Sequence, residues 1–145
     1  MVHPASRWFT DIHFIIAIAI GPCVWLLLRG LLQNTGSGAI DLQVLLYACL
    51  LYPVLEELAF RGFIQSVLLE RQWAARRVVA GVSTANLLTS IAFALAHLLN
   101  QPPLWALSVF FPSLVFGYFR DRTGSVLPSV VLHCWYNAGF YLLVR

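Results

Sequence analysis

A chain of 145 residues that is 60% hydrophobic and only 10% charged, with a mean hydropathy of +0.80, is one domain long and too apolar for a soluble domain of that size. A helical bundle in lipid needs no polar exterior, and that is the class the composition selects. The formal charge of +3 comes from arginine alone, and no basic stripe with interleaved aromatics exists to follow a phosphate backbone, which excludes a nucleic-acid-binding module.

Apolar runs near the ~20 residues that cross a bilayer follow one another along the chain at Ile12 to Leu32, Ile40 to Leu69, Thr84 to Asn100, Leu104 to Tyr118 and Val126 to Val144. The first is too long for a signal-peptide core and is read as a span. Breakers separate the runs: Gln33 to Gly38, Arg71 to Arg77, Gln101-Pro102-Pro103 and Arg120 to Gly124. Between the second and third runs, Trp73 to Gly81 carries a tryptophan and two arginines and reads as an interfacial helix, with Ser83 and Thr84 capping a fresh start. The expected fold is all-α, a polytopic transmembrane helix bundle of about five spanning helices plus a short interfacial helix, with residues 1–145 as a single domain. Cys23, Cys49 and Cys134 lack metal-ligand spacing and read as small buried hydrophobes.

Assigning alternate connections to opposite sides places Arg7, Arg71, Arg76, Arg77, Arg120 and Arg122 together, against Arg29 and Arg145 on the other side. Positive charge marks the cytoplasmic face, so the N-terminus is expected in the cytoplasm and the chain in a bacterial inner (cytoplasmic) membrane.

Against this apolar background, Glu56 and Glu57 stand inside the second run with Arg61 one turn later. A carboxylate at membrane depth is costly unless something uses or neutralises it. Glu57 and Arg61 share a helix face at i, i+4, whereas Glu56 points roughly 100° away. One acid is thus anchored and the other left for chemistry. Phe93 and His97 repeat the four-residue spacing, as do His133 and Asn137. Counted along their helices from the arginine-bearing connections, Glu56, His97 and His133 fall at about 16–22 Å depth. Two imidazoles, a carboxamide and a free acid at one level can supply a base, a second proton handler and donors to an oxyanion.

The ordered set Glu56-Glu57-x-x-x-Arg61, Phe93-x-x-x-His97 and His133-x-x-x-Asn137 resembles the CAAX-protease and bacteriocin-processing family of intramembrane glutamic endopeptidases over about residues 52–141. Stretches such as Ser83 to Ser90, Pro112 to Gly117 and Tyr136 to Gly139 are most similar to its short branch associated with JDVT-CTERM protein sorting. The resemblance implies that Glu56 activates a water, that His97 positions and polarises it, and that His133 and Asn137 donate to the tetrahedral oxyanion. Glu57, Arg61 and Phe93 support them. No cofactor or metal is implied, and the partner is a membrane-associated protein or peptide substrate, cleaved near a C-terminal sorting tail.

Other intramembrane chemistries fit less well. No HExxH string is present for a zinc protease, Asp11, Asp41 and Asp121 all lie at segment ends, and Ser129 lacks a Gly-x-Ser-x-Gly elbow. Three readings stay open beside proteolysis by a glutamate base: metal-dependent hydrolysis with Glu56, His97 and His133 as ligands, a non-enzymatic immunity or assembly partner, and a proton-coupled transporter.

Overall fold

The structure, a computed structural model, describes residues 7–32, 41–79 and 81–144. The Gln33 to Gly38 breaker and Arg145 fall outside them. After a short 3-10 turn at Trp8–Thr10, helix α1 (Ile12–Leu31) begins where the Asp11 side chain accepts from the His13 amide. Helix α2 (Leu42–Leu69) starts likewise at Asp41, whose carboxylate accepts from the Gln43 amide. Helix α3 (Thr84–His97) is capped by Ser83 Oγ, which accepts from Asn86 N at 3.0 Å. Helices α4 (Pro103–Ser108), α5 (Phe110–Thr123) and α6 (Leu127–Val144) complete an all-α bundle. By length and composition α1, α2 and α6 are each able to cross a membrane, and α3 is a shorter apolar helix.

Three boundaries differ from the sequence expectation. Trp73 to Gly81 is not an interfacial helix. Arg77–Val79 (β1) pairs antiparallel with Val82–Ser83 (β2) around Gly81, whose φ of +84° suits glycine. The β-branched Val78, Val79 and Val82 favour extended backbone here, and Thr84 N to Arg76 O (3.0 Å) and Ala85 N to Ala74 O (2.8 Å) tie the turn to the start of α3. The fourth apolar run is broken at Val109, because Pro112 has no N–H for the Ser108 carbonyl and its ring crowds that group. Arg120 to Thr123 is helix rather than breaker, and its polar side chains are bonded to neighbouring elements.

Two stretches of α2 are π-helical, Tyr47–Leu51 and Leu58–Gln65. The first ends two residues before Pro53. In an i→i−5 ladder the Pro53 nitrogen would face the Ala48 carbonyl, and having no hydrogen it leaves that oxygen free. Asn137 of α6 supplies the missing donor, Nδ2 to Ala48 O at 2.8 Å. In the second stretch the Arg61 carbonyl accepts from Ser66 Oγ (2.9 Å) and Arg120 Nε (3.2 Å).

The polar contacts gather at one end of the bundle. Arg122 pairs with Asp11 at 2.7 Å, Tyr118 OH meets His13 at 3.1 Å, and Asp121 accepts from Gln65 (2.8 Å) and from the Ser83 amide (3.3 Å). The start of α1, the end of α2, the β-turn and the end of α5 therefore meet there, with Arg71, Arg76, Arg77, Arg120 and Arg122. The exposed large side chains, such as Leu26, Leu27, Leu50, Leu58 and Phe63, form the outer apolar surface that lipid contacts. Inside, α3 and α5 approach so closely at Gly117 that a Cβ there would lie 1.9 Å from Asn86 Oδ1.

Candidate active site

Glu57 lies on the α2 face that turns into the bundle, and it is fully buried. Its Oε1 accepts from Arg61 Nη1 at 3.0 Å and from His133 Nδ1 at 2.9 Å. Arg61, equally buried, also donates to the Ser113 carbonyl and hydroxyl, and its guanidinium lies 4.7 Å from the centre of the Phe93 ring and 5.4 Å from that of Phe116. Phe116 stacks on His133 at 4.9 Å with 19° between the planes. An acid, a guanidinium and an imidazole thus pair between two aromatic faces, while Glu57 Oε2 and Arg61 Nε are buried without a hydrogen-bond partner among the described residues.

Glu56, one residue earlier, turns elsewhere. Its carboxylate is about one third exposed, and its Oε2 stands 3.7 Å from His133 Nε2, beyond hydrogen-bond reach. It lines a cavity of about 670 Å³ together with Val44, Tyr47, Ala48, Tyr52, Phe60, Ala96, His97, Asn100, Gln101 and Tyr141. His97 sits on the last residue of α3, and its Nδ1 donates to the Phe93 carbonyl at 2.9 Å. That bond leaves Nε2 as the unprotonated nitrogen of the neutral ring, able to accept from water. Phe93 packs against His97 (4.5 Å) and His133 (5.9 Å) and so links the two imidazoles.

Six of the seven residues singled out in the sequence stand in one connected cluster, divided between two compartments, and Asn137 stands beside it. Glu56 and His97 face the cavity. Glu57, Arg61, Phe93 and His133 form the packed wall behind it. Asn137 donates to the carbonyl of Ala48, a cavity-lining residue, and one of its two Nδ2 hydrogens is used there. Among the described residues no three His, Cys, Asp or Glu side chains are grouped to hold a metal ion.

Several residues of the cavity escaped the sequence reading although their spacing contained them. Tyr52, Glu56 and Phe60 form one i, i+4 stripe, and His97 is followed by Gln101 at the same interval. The second stripe of α2, Glu57, Arg61 and Gln65, continues the buried network, with Gln65 Nε2 donating to Gly117 O at 2.9 Å. The second partner of Glu57, His133, lies 76 residues away, and no local spacing encodes that pairing.

An all-α bundle with an apolar exterior, a buried acid–guanidinium–imidazole cluster and a separate acid in a cavity defines a polytopic membrane protein with a hydrolase-like site. The family model described as type II CAAX prenyl endopeptidase Rce1-like matches residues 37–139. The chain belongs to that family, and it is an integral membrane protein of the intramembrane CAAX-type endopeptidase class. The narrower branch likeness drawn from the sequence has no such match behind it. No match was found among curated proteins or among solved structures.

Proposed function

We propose that the protein hydrolyses a peptide bond of a membrane-associated protein with a glutamate base, near a C-terminal sorting tail, in a bacterial cytoplasmic membrane. The observation that carries this reading is the division of labour between adjacent acids. Glu57 is consumed by Arg61 and His133, while Glu56 lines a cavity and has, among the described residues, no cation in hydrogen-bond contact. Glu56 takes a proton from a cavity water, and His97 Nε2 accepts the other hydrogen, which aims the oxygen lone pair at the substrate carbonyl. The C–O bond forms as the carbonyl π electrons move onto its oxygen. The second Nδ2 hydrogen of Asn137 then stabilises the oxyanion, with His133 as the second donor. Collapse breaks the C–N bond, and the departing amine takes the proton held by Glu56. The branch likeness of Ser83 to Ser90 and Pro112 to Gly117 supports the sorting-tail substrate.

Glu56→Gln keeps the shape of the side chain and removes the base. Purified protein carrying it is expected to cleave candidate tail peptides about 100-fold or more slowly than the parent, with an unchanged melting curve, and chelator is expected to leave the parent's rate unaltered. Full activity of Glu56→Gln overturns the mechanism, and loss of activity in chelator turns it toward metal hydrolysis.

A further inference from the structure

We infer that the cavity is entered from the arginine-poor face of the bundle, so that the polypeptide it receives is an unpaired stretch of backbone on the extracytoplasmic side of the membrane. What enters rests on the proteolytic reading; which face it enters from does not.

Two independent observations place the mouth. The first is the position of the lining residues along their helices. Val44, Tyr47, Ala48 and Tyr52 belong to the opening turns of α2, Asn100 and Gln101 follow the end of α3, and Tyr141 lies near the end of α6. All of these ends are opposite to the one where Asp11, Gln65, Ser83, Asp121 and Arg122 meet. Tyr47, Tyr52, Asn100 and Gln101 are exposed, and Glu56 and Phe60 lie deeper, toward the arginine-bearing end.

The second observation is what closes the other end. Between the cavity floor and the arginines, Glu57, Arg61, Gln65, Ser113 and Ser129 have no exposed surface, and Phe93 and Phe116 are 2% exposed. Arg120 and Asp121 bolt this plug to Ser66, Gln65 and the Ser83 amide. A peptide has no path through it. Among the described residues, Arg7, Arg71, Arg76, Arg77, Arg120 and Arg122 lie on the plugged side and Arg29 on the open side, and such a bias orients a membrane protein with its arginines in the cytoplasm. The mouth is therefore outside.

The chemistry of the lining agrees with a backbone ligand. The carboxamides of Asn100 and Gln101 can donate to and accept from peptide groups, and the aromatic rings of Tyr47, Tyr52 and Phe60 can pack against its side chains.

The test uses full-length protein in which Cys23, Cys49 and Cys134 are replaced by alanine and a single cysteine is introduced, Gln101→Cys in the cavity or Ala75→Cys in the exposed turn at the other end. A membrane-impermeant maleimide added to intact cells is expected to label Gln101→Cys, and to label Ala75→Cys only after permeabilisation. Failure of Gln101→Cys to react in intact cells, or reaction of Ala75→Cys there, overturns the inference. A second arm needs none of these variants: candidate tails on a single-span reporter are displayed on either face in cells expressing the parent protein. Cleavage of the outer tail alone is expected. Cleavage of the inner tail overturns the sidedness and leaves proteolysis standing. Cleavage of neither, with the labelling as expected, removes the proteolytic reading and leaves the sidedness standing.

Discussion

At the scale of single residues, the contrast between Glu56 and Glu57 was legible in the sequence because helical geometry alone separates adjacent side chains by roughly 100°. What the second acid needs was only half visible. Arg61 follows it at i, i+4, but the His133 contact depends on how α6 packs. Removing one member of such a buried cluster leaves the remaining charge desolvated and unpaired. Arg61→Met is expected to destabilise the protein by about 3–5 kcal/mol, read as a lower melting temperature in detergent, with Arg61→Lys recovering part of the loss. Lysine restores the charge but cannot fork to Ser113 as the guanidinium does. A milder pair lies at the arginine-bearing end. Partial burial by itself pushes the Asp11 carboxyl up, but hydrogen bonds from Arg122 and the His13 amide, with their charges, bring it below its ordinary value of 3.8. The stabilisation is therefore present in full above the ordinary value and is lost as pH falls through the lower folded one. Asp11→Asn is expected to cost no more than about 1 kcal/mol near neutrality and to flatten the acid limb of a melting-temperature profile.

Among the elements, the apolar runs were easy to place and their ends were not. Pro112 broke the fourth run three residues before itself, at Val109, and Arg120 to Thr123 stayed helical because Gln65, Ser66 and Asp11 supply partners that no local pattern contains. The turn at Val78 to Ser83 lost its helix to β-branched residues flanking Gly81. Pro53 has the largest reach. It leaves the Ala48 oxygen without a backbone donor, and Asn137 fills the gap from another helix. The coupling is testable by a double-mutant cycle. Pro53→Ala restores an N–H that competes for the Ala48 carbonyl, so Asn137→Ala should lower the melting temperature less in that background than alone. The single Asn137→Ala change is expected to cost about 1–3 kcal/mol, the penalty of an unsatisfied buried carbonyl. Equal losses in both backgrounds would remove the link between proline and carboxamide.

For the molecule as a whole, the alternation of apolar runs predicts an odd number of helical passes, and the contacts at the arginine-bearing end require the same parity. The starts of α1, α3 and α6 lie there with the ends of α2 and α5. Helices α3 and α5 have 14 residues each, about 21 Å of helix against a hydrocarbon core of ~30 Å. Crossing it would take both of them together with α4 and the segment from Leu98 to Pro102, where Asn100 and Gln101 are exposed and line the cavity. Irregular backbone at membrane depth is tolerated where it lines a cavity, as Asn100 and Gln101 do. Five passes would put the first and last described residues on opposite sides of the membrane. A fluorescent protein fused at Met1 is expected to mature in the cytoplasm, and alkaline phosphatase fused after Arg145 to be active outside. Replacing Arg71, Arg76 and Arg77 by alanine, while adding three arginines to the connection before Asp41, should shift part of the population to the reversed arrangement, because the charge bias is what orients the bundle. An active phosphatase at both ends, or at neither, would contradict the five-pass topology directly.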